Sequence, residues 1–268
     1  MGAKEQQMTM PISRPLFDFD LQVAAFLKVG IVRIALLERA EALRSAKLAI
    51  EEGSHLKLAF ANAHVVNVAA TDKGFARALE RFLILADGIG VDIGARILAG
   101  RSFPANLNGT DFIPALLASA DAPLKVGLVG ARPGVAERAI AGFQAIAPGH
   151  SYTAFSHGYF APSDEPALLA RLAAERPDIL LVAFGNPRQE TWIADKIDAR
   201  HCSIAAGVGA LFDFMAGEAP RAPAWMRDLR LEWAFRLAHE PVRLWRRYLL
   251  GNPAFLLRVL GQKRAAGS

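Results

Sequence analysis

The stretch DILLVAFGNPRQETWIADKI, residues 178–197, holds a whole strand–turn–helix unit. Residues 179–184 are apolar without a break, as a strand covered on both faces requires. Gly185 ends the run, Asn186-Pro187 turns the chain, and Gln189-Glu190 opens a segment of helical periodicity. So apolar a strand needs cover on both sides of its sheet, and the helix that follows it is a natural cover.

The same alternation runs outward in both directions. Strands are predicted over 26–34 (FLKVGIVRI), 55–63 (HLKLAFANA), 83–88 (LILADG), 124–130 (LKVGLVG), 151–160 (SYTAFSHGYF, running into a loop) and 202–209 (CSIAAGVG). Helices are predicted over 35–53, 71–82, 109–120, 134–149 and 164–177, from apolar periodicity and from caps such as Thr110 or Asp111. The pattern predicts an α/β fold, a mostly parallel sheet with helices on both faces. Ligands of such sheets sit beyond the carboxyl ends of the strands. That directs attention to the loops at 62–64, 87–90, 130–134, 157–160, 185–189 and 207–213.

Composition narrows the class. The 268 residues are 53% hydrophobic, enough for a large core. No apolar run reaches the ~20 residues of a bilayer span, and the start shows neither a secretory signal nor a myristoylation pattern, so a cytoplasmic location is expected. The single cysteine, Cys202, excludes an internal disulfide and reads as core. The net charge of +5 is uneven: residues 219–268 carry ten Lys+Arg against three Asp+Glu, a net +7, and leave the rest of the chain at −2. Three segments are expected: a polar lead (1–25), an α/β core (26–218) and a basic, aromatic appendage (219–268) with a helical texture interrupted at Pro241 and Pro253. In the appendage Trp225, Trp233, Phe235, Trp245, Tyr248 and Phe255 interleave with Arg236, Arg243, Arg246 and Arg247. Such a surface suits a membrane interface or a diphosphate. Nucleic acid is disfavoured, because the core contributes no positive stripe.

Several residues carry candidate chemistry. Asp87 ends an apolar strand before Gly88. It reads either as a turn aspartate bonding backbone amides or as a carboxylate at a strand end that takes a proton from a hydroxyl. VGLVGARPGV, with Gly130, resembles a phosphate-cradling loop but fits neither G-x-G-x-x-G nor Walker A. Asn186, Gln189 and Glu190 read equally as a good helix N-terminus or as partners for sugar hydroxyls. No histidine spacing suggests a metal site, and the Asp-Phe-Asp of 18–20 reads as solvated surface.

Taken in order, ANAHVVN, ADGIGV, NGTDF, GLVGARPGVA, SHGYF, PDILLVAFGNPRQETWI, GVGALFDFMAGEAPRAP and LEWAFRLAHEPVRLWRRY resemble the WecG/TagA/CpsF family of bacterial glycosyltransferases, over roughly 26–255. The resemblance implies a Rossmann-like core that needs neither cofactor nor catalytic metal. It implies transfer of a hexose or N-acetylhexosamine from a UDP-sugar to a polyprenyl-diphosphate-linked saccharide, with inversion, on the inner membrane face. It makes Asp87 the catalytic base. Asn62, Gly109, Thr110, Asp111, Gly130, Asn186, Gln189 and Glu190 become pocket residues, Tyr159 and Asp213 lie near the uridine, and Arg236, Arg243 and Arg246 hold the diphosphates. It leaves room for a homo-oligomer. The chain departs from the family pattern at Phe60 (often Thr), Asn106 (often Arg) and Asp92 (usually apolar), which opens the sugar choice beyond N-acetylmannosamine, glucose included. The rival reading is a non-catalytic UDP-sugar-binding or scaffold protein of a polysaccharide assembly complex.

Overall fold

The computed structural model describes residues 25–266, apart from the side chains of Arg227, Asp228 and Arg243. The polar lead, with Asp18–Asp20, lies outside the described residues. The elements run β1 (Phe26–Val29), β2 (Val32–Ala35), α1 (Arg39–Glu51), β3 (Leu56–Ala61), α2 (Ala63–Thr71), α3 (Lys73–Leu79), β4 (Leu83–Ala86) and α4 (Ile89–Ala99). They continue with α5 (Gly109–Ala118), β5 (Lys125–Gly130), α6 (Val135–Ile146), β6 (Ser151–Ser156), α7 (Glu165–Glu175), β7 (Ile179–Ala183), α8 (Arg188–Lys196), β8 (Ile204–Gly207) and α9 (Leu211–Met215). The C-terminal region is helical: α10 (Ala224–Asp228), α11 (Glu232–His239), α12 (Pro241–Trp245) and α13 (Gly251–Ala266), with a π-turn over Arg246–Leu250.

Six strands form one parallel sheet in the order β4-β3-β8-β7-β5-β6. Alternate strand residues enter two separate cores, the period-2 signature of a sheet buried on both sides. Leu58, Leu85, Leu128, Leu181 and Ala206 pack with α1, α5, α6 and α9. Ala59, Ile84, Val129, Val182 and Ala205 pack with α2, α3, α4, α7 and α8.

Three local expectations change. The predicted strand over 26–34 is a two-stranded antiparallel hairpin, β1–β2, in which Val29 pairs with Val32 across Gly30-Ile31. Gly30 has φ +61°, which a two-residue hairpin turn demands and glycine permits. The strand over 55–63 stops at Ala61, because Asn62 accepts hydrogen bonds from the backbone N–H of His64 and Val65 and so caps α2, a helix hidden in an apolar run. Helix α4 follows Gly88, whose φ is +85°. Pro253 does not interrupt the helix: the chain is helical without a break from Pro241 to Ala266, and the π-turn over Arg246–Leu250 lies just before the proline, where the hydrogen-bond ladder is already loosened.

The last helix returns to the body of the protein. Phe255 and Val259 are buried in the second core, each worth about 1.5–3 kcal/mol of apolar burial. Gly94 on α4 makes the room: a Cβ there would stand 3.0 Å from the Phe255 ring. Gln262 accepts from the N–H of Gly30 at 2.7 Å and donates to the carbonyl of Lys28 at 2.9 Å, and Asn67 donates to the Gly251 carbonyl at 2.7 Å. Among the described residues no helix is long and apolar enough to cross a membrane.

Candidate active site

Parallel pairing of β3 with β4 sets Ala61 opposite Ala86, so the next residues, Asn62 and Asp87, emerge side by side at the carboxyl edge. The Asp87 N–H still donates to the Ala61 carbonyl at 2.9 Å, which continues the ladder by one residue. Asn62 turns its amide NH2 to Asp87 Oδ2 at 3.1 Å while its oxygen caps α2. Asn106 accepts from the Gly88 N–H at 2.8 Å and holds the turn behind the carboxylate. Loss of water on burial pushes the Asp87 carboxyl above the usual carboxylate range, and the Asn62 hydrogen bond and the charges of Arg247 and Arg236 oppose that rise.

Two cavities meet at Asp87. The larger, about 810 Å³, runs along the ends of β3, β5, β7 and β8, and the other, about 410 Å³ and more apolar, lies between α4 and the C-terminal helices. Both volumes fall in the range of roughly 300–1,000 Å³ usual for ligand sites. Asn62, His64, Asp87, Thr110, Arg236 and Arg247 line both. The Nε of Arg236 is buried with no hydrogen-bond partner among the described residues, and its guanidinium lies 5.6 Å from the Phe214 ring centroid. His64 is lowered to about 4, first by burial and then by Arg247, so its imidazole is neutral at pH 7. At the far end of the larger cavity Arg132 shares Glu218 with Arg138.

The β7 and β8 edges are stapled by one buried side chain. Gln189, 2% exposed, accepts from the N–H groups of Gly185 and Gly209, both at 3.1 Å, and donates to Glu190 at 2.8 Å. Glu190 also receives a hydrogen bond from the Asn186 amide. Burial raises Glu190 to about 7 against those hydrogen bonds.

The structure brings Asn62, Asp87, Gly109, Thr110, Asn186, Gln189, Asp213 and Arg236 to the larger cavity, with Tyr159 exposed at its rim. Gly130 stands beneath it, where a Cβ would meet Ala183 N at 2.6 Å, so close strand packing requires this glycine. Asp111 faces Arg221 and Asn108 instead of either cavity, and Glu190 sits behind the wall. Arg246 is exposed, its guanidinium 5.3 Å from the Trp245 ring centroid, and the side chain of Arg243 lies outside the described residues. Arg247, His64 and Arg132 lie in stretches to which the sequence drew attention, but none of them was expected as a site residue. Neighbouring helical side chains point about 100° apart, and an Arg-Arg pair carries no signal of which one faces inward.

The three departures also find partners. Phe60 packs its ring where a Cβ on Gly109 would stand 2.9 Å away. Asn106 holds the Gly88 turn, and Asp92, 4% exposed, accepts from the Phe103 N–H at 3.1 Å and pairs with Arg230 of the C-terminal region.

A desolvated carboxylate where two cavities meet, faced by arginines at the carboxyl edge of a parallel sheet, is the equipment of a group-transfer enzyme. The chain belongs to the glycosyl transferase WecG/TagA/CpsF family, whose model matches residues 27–268, and it is a glycosyltransferase. It is similar to the N-acetylglucosaminyldiphosphoundecaprenol N-acetyl-beta-D-mannosaminyltransferase of Bacillus spizizenii, at 34% identity over 68% of this chain and 70% of the relative. Enzymes of the same name from Bacillus subtilis (32% identity, 68% and 69%) and Staphylococcus aureus strain MW2 (30%, 79% and 82%) are similar as well.

Proposed function

We propose that the chain moves a hexose or N-acetylhexosamine from a UDP-sugar to a polyprenyl-diphosphate-linked saccharide, with inversion, in bacterial envelope or exopolysaccharide synthesis. The observation that carries this reading is Asp87 at the junction of the two cavities, with Asn62 holding one of its oxygens. The UDP-sugar takes the larger cavity along the Rossmann-like edge, and the lipid-linked acceptor enters the more apolar one. Asp87 takes the proton of the acceptor hydroxyl as its oxygen bonds the anomeric carbon. The bond from that carbon to the diphosphate breaks on the opposite face, and UDP leaves with the electron pair. Charge gathering on the diphosphate is met by Arg236 and Arg247 and by neutral donors such as His64, with no metal invoked. The basic, aromatic residues from 219 onward favour docking at the inner membrane face.

The experiment is UDP release from a panel of UDP-sugars, with a synthetic polyprenyl-diphosphate saccharide in anionic vesicles and EDTA present. Turnover that depends on the acceptor and survives EDTA is expected. UDP-sugar binding without turnover favours the scaffold alternative, and a strict manganese requirement overturns the metal-free route.

A further inference from the structure

Glu190 is 1% exposed and lines neither cavity, yet it holds two residues that do. One of its oxygens, Oε1, accepts from the amide NH2 of Asn186 and, at 2.8 Å, from that of Gln189. Its other oxygen, Oε2, is buried with no hydrogen-bond partner among the described residues. A buried polar atom left in this state is unfavourable, so a purely structural carboxylate is an expensive choice at this position.

What the carboxylate does is settle the direction of two amides. A carboxamide has an accepting end and a donating end. An oxygen at Glu190 Oε1 forces the donating ends of both amides inward. For Gln189 the consequence is visible: its oxygen points at the Gly185 and Gly209 N–H groups and ties the β7 and β8 loops together. Asn186 lines the larger cavity on the same edge, and one N–H of its amide bonded to Glu190 sets the direction of that amide and leaves its oxygen and second N–H for a ligand.

We infer that Glu190 is a positioning residue that fixes the direction of the Asn186 amide, so that its oxygen accepts a hydrogen bond from a hydroxyl or N–H of the nucleotide-sugar. The inference rests on the UDP-sugar reading of the larger cavity. A protonated Glu190 keeps Oε1 as an acceptor, so the amide keeps its direction on both sides of the group's raised pKa.

The test is a pair exchange, read by calorimetric titration of whichever of UDP-glucose and UDP-N-acetylmannosamine the wild-type protein binds more tightly, and by KM and kcat. Asn186→Asp sets two carboxylates against each other and is expected to weaken donor binding at least tenfold. Glu190→Gln with Asn186→Asp restores one donor facing one acceptor and is expected to recover most of that loss, chiefly in KM. Glu190→Leu, which removes the acceptor, is expected to raise the donor KM at least tenfold with kcat changed less. A thermal melt identifies any variant that fails to fold, and the double variant then carries the test. Absence of recovery in a folded double variant, or unaltered donor affinity in folded Glu190→Leu, overturns the inference. Failure of the wild-type protein to bind any UDP-sugar overturns instead the function on which it rests.

Discussion

Asp87→Asn separates a catalytic carboxylate from a structural one, because the two roles move stability and rate in opposite directions. The amide has the same shape, and its oxygen can still accept from Asn62, which now bonds Asp87 Oδ2 at 3.1 Å. The Asp87 N–H bond to Ala61 belongs to the backbone and is untouched. Burial raises the Asp87 pKa above its unfolded value. The folded protein therefore binds that proton more tightly than the unfolded chain does, and stability falls as pH rises between the two values. Above that window the ionised group opposes folding, so a neutral amide is expected to leave Tm unchanged or higher at pH 8. Removing a general base costs roughly 10²–10⁴ in rate, or about 2.7–5.5 kcal/mol of transition-state stabilisation. UDP release with the lipid-linked acceptor measures the rate, calorimetry the UDP affinity, and scanning calorimetry the Tm. The wild-type rate should rise with pH above the ordinary carboxylate range, and the variant should lose that limb. A near-wild-type rate in Asp87→Asn refutes the base; a large drop in Tm or lost UDP binding refutes the claim that its role is chemical.

Gly109→Ala places a Cβ 2.9 Å from the Phe60 ring, and such overpacking costs about 1–3 kcal/mol; urea unfolding should show the loss, and Phe60→Leu in the same chain should relieve it. Arg230→Ala leaves the buried carboxylate of Asp92 without its cation. Because Arg230 is itself about a third exposed, the cost should be about 1–3 kcal/mol, below the full penalty of a buried pair, and Asp92→Leu in the same chain should recover part of it. Glu190 is raised from 4.5 to about 7, so its contribution to stability falls as pH rises through that window, by on the order of 3 kcal/mol in all. Glu190→Gln should remove this slope from denaturant midpoints measured between pH 4.5 and 8, and an unchanged slope refutes the assignment.

Local chemistry made the elements legible. Unbroken apolar runs such as Ile179–Ala183, each followed by a periodic segment, mark buried strands and covering helices wherever they fall in a chain. Where an expected strand changed, neighbours decided. The strand expected over 55–63 gives way after Ala61 to α2, whose first turn over HVVNV is capped by the Asn62 side chain. The single strand expected over 26–34 turns at Gly30 and becomes a hairpin, in which each short strand pairs with the other.

By itself the sequence determined an α/β fold, the strand ends that carry polar residues, and Asp87 as one of two readings. Tertiary structure decided which strand ends meet. The order β4-β3-β8-β7-β5-β6 brings Asn62 beside Asp87 and both near Gln189 and Asp213, residues far apart in the chain. It also decided direction. Arg247 rather than Arg246 faces the carboxylate, Asp111 turns to Arg221, and Glu190 sits behind the wall. The physical reason is that periodicity records which residues leave water, whereas the partner each one meets depends on long-range packing that no local spacing encodes.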